Sequence, residues 1–279
     1  MRHQSFFKAL LCIFCSYSVQ SFVPTTQSSQ CFSSPTASEN KIIVALHGWF
    51  DNFWQTPETS SSSRQIEYPE QYPATYEPNT ASVEGDAGDE NKEFLRQLLK
   101  NTQLESRPVV LAYDANKNGW TAQAFHRAVD GKGASIVLAT TSDGRSIGGY
   151  NPKGWASLGG ARPSVASFLF YTKSSDKQQQ QSWQKLQKVG GGGLACAKDD
   201  PDCGVWFGPD ALVIPLLDDG SNRIAQSKLG PYFERGPGNL PSLFSGGSTE
   251  LKDLKIYVGV YDSTEEIPYS GGVLDMTSG

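Results

Sequence analysis

The amino-acid sequence predicts an α+β, β-rich domain with short helices, running from about Arg107 to Tyr261. Three observations carry this expectation. Short β-branched or apolar runs recur along that stretch, 28 glycines and 16 prolines cut the chain into brief elements, and two segments space their apolar residues as helices do. A chain of 279 residues holds one substantial core but is a tight fit for two full domains.

At the N-terminus, Arg2 and Lys8 precede the apolar run Ala9 to Cys15, which is too short to span a bilayer and suits a signal-peptide core. Val19 and Ser21 are small residues before a cut at Phe22, so residues 1–21 are expected to leave as a signal peptide. Residues 22–40 form a Ser-, Thr-, Pro- and Gln-rich segment, disordered or transit-like. Phe22-Val-Pro followed by hydroxyl-rich sequence resembles the two-part plastid presequences of algae with secondary plastids. The expected address is a plastid or other organelle reached through the secretory pathway, with secretion, the endomembrane lumen or the cytoplasm as alternatives. No second apolar run is long enough for a membrane span, so the mature chain is not expected to be transmembrane.

Residues 41–107 read as a strand at Lys41 to Leu46, a loop and a short helix. After that strand and His47-Gly48, the aromatics Trp49, Phe50, Phe53 and Trp54 read as a satellite core or a docking patch. Thr56 to Asp89 lacks either structural period and reads as an extended surface loop or linker. Glu90 to Leu99 places Phe94, Leu95, Leu98 and Leu99 on one helical face, with Asp89 as N-cap.

Residues 108–261 hold the main domain. Pro108 to Tyr113 is a buried-type strand, and Asp114 to Gly119 a turn-rich connection. From Thr121, Ala124, Phe125, Ala128 and Val129 share a helix face that Gly131 closes as C′ residue. Ala134 to Thr140 and Arg145 to Tyr150 form an antiparallel hairpin about Ser142-Asp143-Gly144. Val165 to Thr172 is a strand covered on both faces, since Phe168 and Phe170 alternate with Leu169 and Tyr171. The Gln178–Gln181 and Gly190–Gly193 runs bracket Trp183, Leu186 and Val189 and read as an insertion between core elements. Strands follow at Val205 to Phe207, Ala211 to Leu217 and Leu254 to Tyr261, and residues 262–279 read as a surface tail.

The run from Leu111 to Gly133 resembles the opening of a TLDc domain, with its strand, the Gly119-Trp120 turn and the Phe125-His126 helix in order. Ile147-Gly148-Gly149-Tyr150, Ser167-Phe168-Leu169-Phe170 and Phe244-Ser245-Gly246-Gly247 before the closing strand agree with it. Residues 108–261 are therefore identified as a TLDc-like domain of the oxidation-resistance type. The resemblance implies an antiparallel β-sandwich flanked by short helices, a stress-protection function, and in some relatives binding to the vacuolar proton pump. That last role transfers only if the domain is cytosolic. The structural signature comprises Trp120, Phe125, His126, Gly131, Gly148, Gly149, Tyr150, Phe168, Phe170, Gly246 and Gly247.

Composition narrows the function classes. Against 29 acidic residues stand 24 Lys and Arg, for a net charge of −5, so no nucleic-acid partner is expected. Only three histidines exist, and His3 leaves with the signal peptide. His126 sits beside its helix's apolar face as a hydrogen-bonded structural residue, with Asp130 four residues on as partner; a catalytic dyad is the weaker reading of this pair. His47-Gly48 is similar to the oxyanion-side loop of an α/β-hydrolase, but no G-x-S-x-G elbow occurs. Asp199, Asp200 and Asp202 lack cation-loop spacing and read as a solvated turn. Neither glycine pair matches a phosphate loop, and Tyr150, Trp155 and Trp206 read as packing around those turns.

Of five cysteines, Cys12, Cys15 and Cys31 precede the folded body, leaving Cys196 and Cys203 as ordinary thiols or one small disulfide loop. No cofactor or metal is expected. The leading expectation is a non-enzymatic interaction or stress-protection module with a protein partner. The alternative is a thiol-based redox or peroxide-consuming enzyme using Cys196 and Cys203.

Overall fold

The computed structural model describes residues 61–173, 182–190, 197–217 and 221–270, all within one unit that begins at Glu58. The signal and transit-like segments, the strand at 41–46, His47, the aromatic group after it and Cys196 lie outside the described residues.

Asp89 caps the helix α2 (Glu90–Leu98) by accepting the backbone N–H groups of Asn91 and Lys92, as its place before an apolar period requires. It follows α1 (Ser61–Glu67). The chain then enters β1 (Val109–Asp114), turns once through α3 (Ala115–Asn118), and forms α4 (Ala122–Val129), which Thr121 caps through the N–H of Ala124. The hairpin of β2 (Ser135–Thr141) and β3 (Ser146–Asn151) is antiparallel in register Leu138 to Gly148. Beyond it come β4 (Ala161–Arg162), β5 (Phe168–Thr172), β6 (Trp183–Gln187), β7 (Ala197–Lys198), β8 (Val205–Phe207), β9 (Leu212–Ile214), β10 (Ile224–Gln226) and β11 (Ser248–Gly259).

Hydrogen bonding joins these described strands in one antiparallel sheet of order β4-β7-β8-β9-β10-β11-β2-β3-β5-β6, with β1 also on β11. The long β11 links two limbs: its first residues pair with β10 and the rest with β1 and β2. The fold is thus α+β and β-rich, a large antiparallel sheet with short helices.

Two apolar clusters cover the sheet. On one face Phe94, Leu95, Leu98 and Leu99 of α2 pack with Ile136, Leu138, Phe168 and Phe170. On the other, Phe125 and Val129 of α4 join Val137, Leu169 and Tyr171 together with Phe207, Leu212 and Ile214 from the second limb. The alternation along β5 therefore buries both faces. Gly148 and Gly149 permit the close approach: a Cβ on Gly148 would sit 1.9 Å from the Val137 carbonyl oxygen, and one on Gly149 would sit 2.8 Å from the Phe207 ring.

Several elements differ from their sequence expectation for identifiable reasons. Trp183–Gln187 is no insertion but strand β6, paired with β5, with Leu186 fully buried. Low-complexity flanks concealed a short strand. The stretch before Asp89 is not wholly surface loop, because Ala74, Asn79 and Asp86 are buried. Asp86 accepts from Arg96 Nε at 2.6 Å, and the same guanidinium donates to the carbonyls of Leu104, Glu105 and Arg107. Arg96 thus lies 5% exposed on a helix face that looks polar, since mutual pairing and not apolarity makes its burial tolerable. Strand β9 stops at Ile214 because Pro215 cannot donate to a ladder and Leu216 turns to φ 54°.

Candidate functional site

The C-terminal turn of α4 presents His126 and Asp130 toward two incoming segments, 155–158 and 198–203. His126 is four residues before Asp130, so both side chains fall on one helix face. The Nδ1–H of His126 donates to Asp130 Oδ1 at 2.8 Å, and Nε2–H donates to the Cys203 carbonyl at 2.8 Å. Ser157 lies with Oγ 3.0 Å from the same Nδ1 and donates to the other oxygen of Asp130. Ser157 itself has φ 55°, a left-handed backbone that non-glycine residues hold only when their surroundings fix it.

That fixing comes from Asp199, whose carboxylate is fully buried. It accepts the backbone N–H groups of Ala156 at 2.7 Å, Ser157 at 2.9 Å and Leu158 at 3.1 Å, and Arg162 stands 3.8 Å away. Asp199 is therefore not part of a solvated turn. Asp200 and Asp202 do form such a turn, the N–H of Asp202 donating to Asp200 Oδ1. Trp155 completes the junction: its indole N–H donates to the Lys198 carbonyl at 3.1 Å, and its own carbonyl accepts from Gly131 at 2.8 Å. The rings of Phe125 and Trp155 meet edge to face at 5.1 Å, with Tyr113 and His126 also against Phe125.

Burial alone would push the His126 imidazole down, but the hydrogen bonds to Asp130 and Cys203 outweigh it and hold the group above its ordinary range. The geometry gives the reason. Both ring nitrogens face oxygens that only accept, so the doubly protonated ring satisfies both at once. A Ser-His-Asp trio is present, yet it is not wired as a hydrolytic triad. In a triad the carboxylate holds one ring nitrogen and the other receives the serine proton. Here Ser157 and Asp130 share Nδ1, while Nε2 is committed to a backbone carbonyl. Beside this junction opens a cavity of about 710 Å³, with Gln123, His126, Arg127, Asp130 and Asp202 among its lining.

The other predicted residues disperse through the core. Trp120 donates its indole N–H to Asn116 and lies under Arg223. Tyr150 stacks on Phe168 at 5.3 Å, and Phe170 meets Phe94 edge to face at 5.9 Å. Gly246 and Gly247 form the positive-φ turn before β11. Trp206 donates to the Pro209 carbonyl and carries Lys198 over its ring. Cys203 is a half-buried free thiol, while Cys196 falls outside the described residues. Among the described residues no group of three His, Cys, Asp or Glu is placed to hold a metal ion, and no helix is long and apolar enough to cross a membrane. Sequence reasoning missed Ser157 and Lys198 and misplaced Asp199 in a solvated turn. All three act through contacts more than thirty residues distant or through a backbone nest, for which no local period exists.

This architecture coincides with a match of residues 88–212 to the TLDc domain model. Residues 88–212 belong to the TLDc domain family. The TLDc match begins ahead of the strand at which the resemblance was legible, taking in α2, and ends at Leu212, before the Phe244–Gly247 turn and β11. His126, Asp130, Ser157, Asp199 and Cys203 all lie inside it. The function that accompanies it is of the TLDc, stress-related type. No curated protein matches the chain in a sequence search.

Proposed function

We propose that the chain is a non-enzymatic stress-protection module of the TLDc type, acting through a protein partner. The observation that carries this reading is the wiring of His126. With Nδ1 given to Asp130 and Nε2 to the Cys203 carbonyl, the imidazole is not a base for Ser157, whose hydroxyl proton goes to the Asp130 carboxylate, and the trio instead ties α4, residues 155–158 and residues 198–203 together. The two limbs of the sheet then serve as the layers of a sandwich whose joint this trio closes.

The test is protection of peroxide-stressed cells that lack the chain, restored by wild type and by Ser157→Ala. A non-enzymatic module keeps its protection in Ser157→Ala. Loss of protection by a variant with an unchanged unfolding midpoint would overturn the reading. Affinity capture by the full chain from its own cell extract at near-physiological salt identifies the partner, and a folded chain that retains none counts against it.

The proposed address rests on residues 1–40: basic residues, a short apolar core, Val19 and Ser21 before Phe22, then hydroxyl-rich sequence. It is an organelle of the plastid type reached through the secretory pathway. N-terminal sequencing of the native protein and imaging of a full-length C-terminal fusion test it. An intact Met1 with diffuse cytosolic signal refutes it and returns the proton-pump role to consideration.

A further inference from the structure

Five residues after Lys198, the chain comes back to it. The Lys198 ammonium donates to Cys203 Sγ at 3.1 Å, inside the distance at which two reacting atoms are held for attack. Besides Cys203, two groups fix this lysine. Asp200 stands 3.4 Å from Nζ, the Trp206 ring centroid lies 4.5 Å beneath it, and its side chain is still 37% exposed, so a small oxidant can reach the pair. The thiol is free and half-buried. The Cys203 hydrogen bond, ahead of its other neighbours, holds Lys198 above its ordinary range, so the nitrogen waits as an ammonium.

We propose that Lys198 and Cys203 form a peroxide-driven sulfur–nitrogen cross-link, a covalent modification site within the loop that carries the Cys203 carbonyl to His126. The thiolate of Cys203 attacks one oxygen of hydrogen peroxide; an S–O bond forms, the O–O bond breaks, and the departing hydroxide takes a proton from the Lys198 ammonium. Sulfur is oxidised by two electrons, peroxide is reduced to one water and a sulfenic oxygen, and Lys198 becomes a neutral amine beside the new sulfenic acid. The amine then attacks sulfur. An N–S bond forms, the S–O bond breaks, and hydroxide leaves with an amine proton as a second water. One thiol, one amine and one peroxide thus yield a sulfenamide and two waters. Backbone nitrogens condense with sulfenic acids in the same way, and here the lysine amine takes their place. The bridge closes the 198–203 loop, fixing Pro201 and Asp202 at the rim of the cavity beside His126.

The inference stands apart from the stress-protection reading, because its test reads chemistry on the chain and not protection. The full chain is titrated with hydrogen peroxide without added thiol, then digested with a protease that cuts before aspartate. Asp199, Asp200 and Asp202 separate Lys198 from Cys203, so the two flanking peptides stay joined only through a bridge. The expected product is that joined pair, lighter by two hydrogens, released by dithiothreitol, and still formed in Cys196→Ser. Lys198→Arg keeps the charge and removes the nucleophile; it should leave Cys203 as a sulfenic acid that dimedone traps, with the joined pair reduced to background. Residues 176–198 carry both Cys196 and Lys198, so a joined pair that disappears in Cys196→Ser, a dimedone adduct on wild-type Cys203 in place of the bridge, or a bridge retaining an oxygen atom would each overturn the proposal.

Discussion

Lys185 is the central residue of β6 and is fully buried beneath α2. Its ammonium donates to the Leu98 carbonyl at the end of α2 at 2.7 Å and lies 4.3 Å from the Phe168 ring centroid. Burial pushes this lysine down from 10.5 to about 7. At about 1.4 kcal/mol per tenfold change in proton affinity, holding the charged form there costs about 5 kcal/mol. Below about pH 7 folded and unfolded chains both carry the proton and the full cost is present. Between about 7 and the ordinary lysine range only the unfolded chain carries it, so stability rises with pH by about 1.4 kcal/mol per unit. Lys185→Met keeps the apolar stem and deletes the titration, at the loss of a hydrogen bond of about 1 kcal/mol and the ring contact. The variant should therefore be more stable than wild type by about 2–4 kcal/mol at pH 6, the difference falling through zero at about pH 8.5–10 and reversing above it. Urea midpoints of both proteins at stepped pH give the difference curve directly. Parallel curves, or a variant less stable at pH 6, would refute the assignment of Lys185 as a buried, strained cation.

Phe125→Ala should destabilise the domain by about 3–5 kcal/mol, because the ring is wholly buried among Tyr113, His126 and Trp155; an unmoved denaturant midpoint would contradict that packing. His126→Ala should cost about 2–4 kcal/mol at pH 6, more than one neutral hydrogen bond, since two donors to oxygen are lost and one of them faces a carboxylate. The folded imidazole is held above its ordinary range, so its contribution is complete below about pH 6.5 and fades as pH climbs through the raised folded value. The gap between wild type and variant should narrow across that window, and a gap that widens with pH would reverse the sign argued here.

Much of the fold was legible because its strongest signals are local. The Asp89 cap of α2, the apolar face of α4, the Ser142-Asp143-Gly144 hairpin and the alternation along β5 each appear where the sequence placed them, within a residue or three. What escaped was stabilised from a distance. Arg96 and Lys185 look like surface residues by type, and their burial depends on carbonyls supplied by other segments: Leu104, Glu105 and Arg107 for the first, Leu98 for the second. The short strand β6 has no period long enough to separate from its glutamine- and glycine-rich flanks.

The site shows the same division, and it explains why a fold-level motif was readable where a chemical one was not. His126 and Asp130 were paired correctly by spacing alone, since a helix brings residues four apart together. Ser157 and Asp199 join them through the tertiary fold, and only their positions decide what the histidine does. A serine opposite Nε2 would have been a nucleophile with its base; a serine on the Asp130 side of Nδ1, with Nε2 on a backbone carbonyl, is a fastening. While Tyr150, Phe168 and Phe170 lie on the opposite face of the sheet, some of the residues that carry the TLDc resemblance gather around this fastening: Phe125 and Gly131 contact Trp155, and Gly149 faces Phe207. They keep two limbs of one sheet against a single helix. Substitutions there should accordingly be felt first as loss of stability, with protection falling only where the unfolding midpoint falls.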